Sequence, residues 1–178
     1  MDLGIRGRTA IVCGSSRGLG RACAEALAAE GVDIILNGID QDRLRATADE
    51  LSQRYQGRVK SVAADITTDE GQRSLLGTCP DPDILVNNNA GPSPGAFLSF
   101  DQTAWEKATA ANMIAPIMLT RAVLPMMKER HFGRVINITS AMVTTPRPHM
   151  ALSAGPRAGL TAVMKAISLE VARHNVTI

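Results

Sequence analysis

Residues 13–20 read Cys-Gly-Ser-Ser-Arg-Gly-Leu-Gly, which places Gly14, Gly18 and Gly20 in the spacing GxxxGxG. They follow a short apolar run (9–13) and open an apolar stripe at helical spacing: Leu19, Ala22, Cys23, Ala26 and Leu27. A strand, a tight turn and a helix in that order aim free backbone N–H groups and the positive end of a helix dipole at one point, which suits a pyrophosphate. Gly14 permits the sharp turn, Gly18 lets a phosphate approach without a Cβ in the way, and Gly20 lets the helix lie close to the strand. Ser16, Arg17 and Leu19 complete the candidate phosphate-binding turn. A P-loop would end in GK[ST], and this turn ends in Gly18-Leu19-Gly20.

The elements that must hold this turn alternate along the chain. After the first strand and helix, the pattern predicts strands over 34–37, 59–64, 84–87 and 134–138 and helices over 42–53, 67–76, 103–128 and 156–174, with a sixth strand beginning at 176–178. Strands alternating with helices imply a parallel sheet covered on both faces, a doubly wound α/β domain of Rossmann type spanning 1–178. Pro116 and Pro125 are expected to bend or divide the fourth helix. Pro156 is expected in the first turn of the last one, where its missing N–H costs nothing.

Composition narrows the chemistry. A chain of 178 residues, 45% hydrophobic and 20% charged, has the balance of one domain with its own core. A net charge of +2, evenly scattered, gives no footprint for nucleic acid or an anionic membrane, so a small-molecule substrate is expected. Cys13, Cys23 and Cys79 form neither a CxxC pair nor a Cys–His spacing suited to a metal, and their odd number argues against a disulfide framework. With no signal-like N-terminus, the reading is cytoplasmic.

The turn resembles the TGxxxGxG signature of the short-chain dehydrogenase/reductase family, with Cys13 in place of the threonine. Later stretches match in order. Asp65-Ile66 resembles the pair placed against the adenine ring. Residues 83–88, Asp-Ile-Leu-Val-Asn-Asn, resemble the strand that runs into Asn-Asn-Ala-Gly, which assigns Asn88, Asn89 and Ala90 to the cofactor. Asn112 stands at the helix asparagine, and Ser140 ends the fifth strand where the catalytic serine belongs. The resemblance implies hydride transfer between a nicotinamide cofactor and a carbonyl or alcohol, in a homo-oligomer, dimer or tetramer.

Two departures fall near the chemistry. The Asn-Asn-Ala-Gly match arrives one place late, at Gly91, so extra bulk is expected beside the nicotinamide. The Tyr-x-x-x-Lys motif, thirteen residues after the serine, reads Ser153-Ala154-Gly155-Pro156-Arg157. A serine hydroxyl is far less acidic than a phenol and cannot inherit its role as proton donor. The lone tyrosine, Tyr55, is expected far from the strand ends. His149, in the loop after Ser140, is the nearby group that ordinarily titrates close to neutrality. Arg157 keeps a fixed positive charge able to hold cofactor hydroxyls. A nucleotide-binding protein without redox activity is the alternative.

For the cofactor, Arg17 favours the 2′-phosphate of NADP(H). Asp40, about 20 residues past the turn, is an acid that would hold the ribose of NAD(H) or else cap the next helix. NADP(H) is favoured over NAD(H). The chain stops in an apolar run expected to be a central strand, so the resemblance implies a sheet truncated there and a substrate-binding part outside the sequence.

Overall fold

A computed structural model describes residues 2–178. Six parallel strands, β1 (Thr9–Val12), β2 (Asp33–Gly38), β3 (Val59–Ala63), β4 (Ile84–Asn87), β5 (Gly133–Asn137) and β6 (Val176–Thr177), form one sheet in the order β3-β2-β1-β4-β5-β6. The helices are α1 (Gly18–Ala29), α2 (Gln41–Arg54), α3 (Asp69–Thr78), α4 (Gln102–Thr109), α5 (Ala115–Glu129) and α6 (Ala151–Val171). This is the Rossmann order, which reverses direction beside β1, and the reversal opens a crevice at the carboxyl ends of β1 and β4.

The sheet divides the core in two. On one side Ile11, Leu85 and Val135 pack against Leu119, Val123 and Met127 of α5. On the other, Val12, Leu36 and Val86 pack against Ala24 and Ala28 of α1 and Leu44 and Leu51 of α2. Such a two-sided core favours continuous apolar runs in the central strands, and Ile84, Leu85 and Val86 of β4 are all buried. The outer strands depart from that expectation. Lys60 and Ser61 of edge strand β3 are exposed, and Ile136 of β5 is 42% exposed. Among the described residues β6 is the last strand of the sheet.

The stretch Gln102–Glu129 is long and apolar enough to cross a membrane by length and composition. In this fold, however, Ala115, Leu119, Val123 and Met127 are its core face. The stretch is divided, as the prolines suggested, but upstream of both. A π-helical turn occupies Ala110–Ile114, where the Ala115 N–H reaches back to the Ala110 carbonyl. Pro116 has no N–H to offer Asn112, four residues before it, so the α-helical ladder is already broken at that carbonyl. Pro125 lies inside α5 on the exposed side and does not end it.

The sixth helix corrects a second expectation. It begins at Ala151, five residues before the position the sequence pattern suggests, so Pro156 is buried in the second turn rather than the first. Its ring deprives the Leu152 carbonyl of a helical partner. The early start also places Ser153 and Arg157 one turn apart on a single buried face.

Candidate active site

The glycine turn is built by close approach. Gly14 and Gly18 have φ of 56° and 59°, in the left-handed region that favours glycine. A Cβ on Gly20 would lie 2.3 Å from the Gly14 carbonyl oxygen, so α1 meets the turn with no room for a side chain. Two polar side chains fasten the turn to its neighbours. Asn88 Nδ2, from the end of β4, donates to the carbonyls of Cys13 and Gly14 at 3.3 and 3.2 Å. Ser15, fully buried, donates through Oγ to the Val12 carbonyl at 2.7 Å, and its N–H bonds Asn37 O at 2.8 Å. Sequence reasoning missed Ser15 because it treated the intervening residues as spacers. A hydroxyl beside a tight-turn glycine was the available signal.

Cys13 packs beneath the turn, fully buried, and burial pushes its thiol up to about 12. Cys79 is also buried and its thiol raised, first by burial, whereas Cys23 is half-buried. Iodoacetamide at pH 7.5 is therefore expected to label Cys23 alone in the native chain, with Cys13 and Cys79 reacting only after unfolding. Peptide mass spectrometry checks this, and native alkylation of Cys13 would contradict the buried turn.

A cleft of about 380 Å³ lies over this turn. Ten of the eleven residues the sequence assigns to the cofactor line it; the exception, Gly20, lies behind the wall. Asp65 is exposed at the rim, with Oδ1 accepting from the N–H and the hydroxyl of Thr67 at 2.9 and 2.8 Å. Ile66 touches the cleft but is 4% exposed and belongs mainly to the core. The sequence reading overlooked Arg43. It lines the same cleft as Arg17, and Asp40 caps α2 by accepting from the Arg43 N–H at 3.0 Å.

The catalytic candidates gather at the ends of β4 and β5. Arg157, 8% exposed, donates from one terminal nitrogen to the Ile138 carbonyl at 2.7 Å and from the other to Asn89 O at 3.4 Å. Burial lowers the pKa of its guanidinium, and it makes no ion pair among the described residues. Asn112, in the π-helical turn, donates to the carbonyls of Ala90 and Ala108 at 3.4 and 3.3 Å. Asn112 Oδ1, Asn87 Oδ1 and Arg157 Nε are buried without partners, and all three residues line a small cavity of about 10 Å³. Two acceptors and one donor around such a space match the bonding capacity of a single water.

Ser140 Oγ accepts from the Met142 N–H at 3.2 Å, capping the 3₁₀ turn Ala141–Val143. That bond uses a lone pair and leaves the hydroxyl hydrogen for an acceptor such as a carbonyl. Ser153 is 6% exposed and makes no side-chain bond to Ser140. His149 is exposed with φ of 66°, and its carbonyl accepts from the Gly95 N–H at 2.9 Å. Tyr55 is remote, as expected, donating its hydroxyl to Glu25 at 3.2 Å. The extra bulk expected near Gly91 is the Asn89 side chain, which turns toward the π-helical turn and donates to Ala111 O at 3.3 Å.

Comparison with known proteins agrees with this fold. An uncharacterized oxidoreductase, YvaG, of Bacillus subtilis is 33% identical over 179 residues, covering 100% of this chain and 68% of the relative. The 3-oxoacyl-[acyl-carrier-protein] reductase FabG of Aquifex aeolicus is 29% identical, covering 100% of this chain and 73% of that protein. Among solved structures, L-sorbose reductase from Gluconobacter frateurii, complexed with NADPH and L-sorbose, superposes with a TM-score of 0.94 at 31% identity, covering 99% of this chain and 68% of that one. The short chain dehydrogenase family profile matches residues 8–178. With the glycine turn, the strand order and the cleft all in place, the chain belongs to the short-chain dehydrogenase family.

Proposed function

We propose that the chain is an NADP(H)-dependent oxidoreductase acting on a small carbonyl or alcohol substrate. The observation that carries this reading is the cleft itself, with the glycine turn at the head of α1 opening at the switch point of the sheet. The residues present fit a dinucleotide. Glycines at 14 and 18 expose backbone N–H groups at the helix N-terminus, where a pyrophosphate is stabilised. Asp65 stands at the adenine end and Asn88, Asn89 and Ala90 at the nicotinamide end. The cofactor supplies the hydride chemistry when bound.

The chain's own groups do the rest. Ser140 offers its hydroxyl hydrogen to a substrate oxygen. Arg157 fixes a positive charge behind the cleft wall, holding the ends of β4 and β5 together through Asn89 and Ile138. The proton must come from outside the Ser153 position, and exposed His149 is the imidazole on that loop. The NADPH complex of the sorbose reductase favours NADP(H) here. Apolar exposure at Ile114, Met126 and Leu169 suits a homo-oligomer built on α5 and α6, working in the cytoplasm.

A second reading, cofactor binding without turnover, is favoured by one observation. Ser153 is buried without a side-chain partner, and no phenol lies at the site. Fluorescence titration with NADPH and NADH, followed by a panel of aldehydes and ketones, separates the two. Saturable binding with substrate-dependent NADPH oxidation supports the oxidoreductase, binding with no oxidation above background supports the second reading, and no saturable complex removes both.

A further inference from the structure

We infer that a second small-molecule site lies at the amino ends of β1, β2 and β3, and that it takes a zwitterion with an apolar body, a free α-amino acid with an aliphatic side chain. This does not depend on the cofactor reading above, because the two cavities share no residue.

The cavity holds about 280 Å³, at the small end for small-molecule sites, which suits a compact ligand. Parallel pairing sets Thr9 beside Asp33 and Ile35 beside Lys60, so all three strands contribute to it. From Thr9, β1 runs about 15 Å to the glycine turn, which keeps a ligand here clear of the cofactor cleft. The floor is apolar. Ile35 and Cys79 are 6% and 9% exposed and join the core beside Leu75 of α3. With the ring of Pro80 they give an aliphatic chain a surface out of water.

Four charged side chains line the cavity, and two of them satisfy each other. Asp33 accepts from the Arg58 N–H and from its Nε, both at 2.8 Å, and lies 2.7 Å from a terminal nitrogen of the same guanidinium. Lys60, on β3, and Asp81, just beyond α3, have no ion-pair partner among the described residues. The carbonyl end of α3 adds to the negative side. Its last turn carries no basic residue, and Pro80 has no N–H to offer the Leu76 carbonyl four residues before it.

These two unpaired charges decide the ligand class. A carboxylate drawn to Lys60 meets Asp81 as a like charge, and an amine drawn to Asp81 meets Lys60. A purely apolar molecule covers both charges and pairs neither. A zwitterion sets its carboxylate toward Lys60 and its ammonium toward Asp81 and the end of α3, while its side chain covers the floor.

The test is isothermal titration calorimetry of the purified chain with L-leucine. Isocaproate, which lacks the ammonium, isoamylamine, which lacks the carboxylate, and glycine, which lacks the apolar body, are the comparisons. Leucine is expected to bind saturably, and more tightly than each of the three by about tenfold or more, the scale of one charge-assisted bond. Lys60 and Asp81 are exposed, so Lys60→Gln and Asp81→Asn are expected to keep the wild-type circular dichroism spectrum. Each weakens leucine by about tenfold, whereas Lys60→Gln does not weaken isoamylamine and Asp81→Asn does not weaken isocaproate. No saturation by leucine, equal affinity for leucine and either half-ligand, or wild-type affinity for leucine in either variant would overturn the assignment. Displacement of leucine by NADPH would put it in the cofactor cleft and overturn the second site as well.

Discussion

Gly20→Ala is expected to weaken dinucleotide binding by roughly a hundredfold while the chain stays folded. Intrinsic helix propensity favours this substitution by about 1 kcal/mol, so a loss cannot come from helix formation. It comes from the turn. The new methyl would sit 2.3 Å from the Gly14 carbonyl oxygen and 2.8 Å from Asn88 Nδ2, and the first of these is backbone that cannot rotate aside. Relief requires α1 to move away from β1, which turns its N–H groups off the phosphate position. Overpacking of this kind costs about 1–3 kcal/mol, and if it falls on the bound geometry the affinity drops by roughly a hundredfold. Gly77→Ala is the control, since nothing lies within 4 Å of its Cβ, and it is expected to bind cofactor as wild type does. Circular dichroism confirms the fold and NADPH titration reads the effect; unaltered affinity in Gly20→Ala would mean that phosphates do not sit on this turn.

The second large effect is a gain. Ser153→Tyr combined with Arg157→Lys is expected to raise NADPH oxidation with a responsive ketone by about 10²–10⁴-fold, the usual contribution of a positioned general acid. The two positions are one helical turn apart on the buried face of α6, and Arg157 already reaches the ends of β4 and β5. A lysine there carries charge beside a phenol and lowers its pKa toward the working range. Ser140 is left in place to bind the substrate oxygen. Rates that remain at background with cofactor binding intact would show that more than the proton donor has diverged. The single substitution Ser153→Tyr isolates the part played by Arg157.

The sequence made the strand order and the phosphate turn legible because both depend on short-range rules. Apolar runs ending at Gly14 and Asn87 mark strand ends, and glycine spacing marks the turn. What it hid depends on longer reach. Ser15 acts partly through a carbonyl 22 residues away, a reach that the local pattern does not show. Arg43 was invisible as a cleft residue because it falls within the predicted helix 42–53, whereas the first turn of α2 lines the opening. The start of α6 was misjudged for a different reason. Pro156 reads as a beginning because proline is tolerated there, yet packing of Leu152 and Leu160 into the interior carries the helix back past it.

The π-helical turn has one more implication. Holding Asn112 between Ala90 and Ala108 takes a surplus residue between α4 and α5, and that surplus advances every later side chain by about 100° around the axis. Deleting a single alanine at 110 or 111 would restore regular backbone bonding and please the helix locally. It would also swing Leu119, Val123 and Met127 out of phase with the sheet they cover. Insertion or loss of one residue is therefore not a tolerable drift in this segment, and its length is fixed more tightly than its amino-acid content.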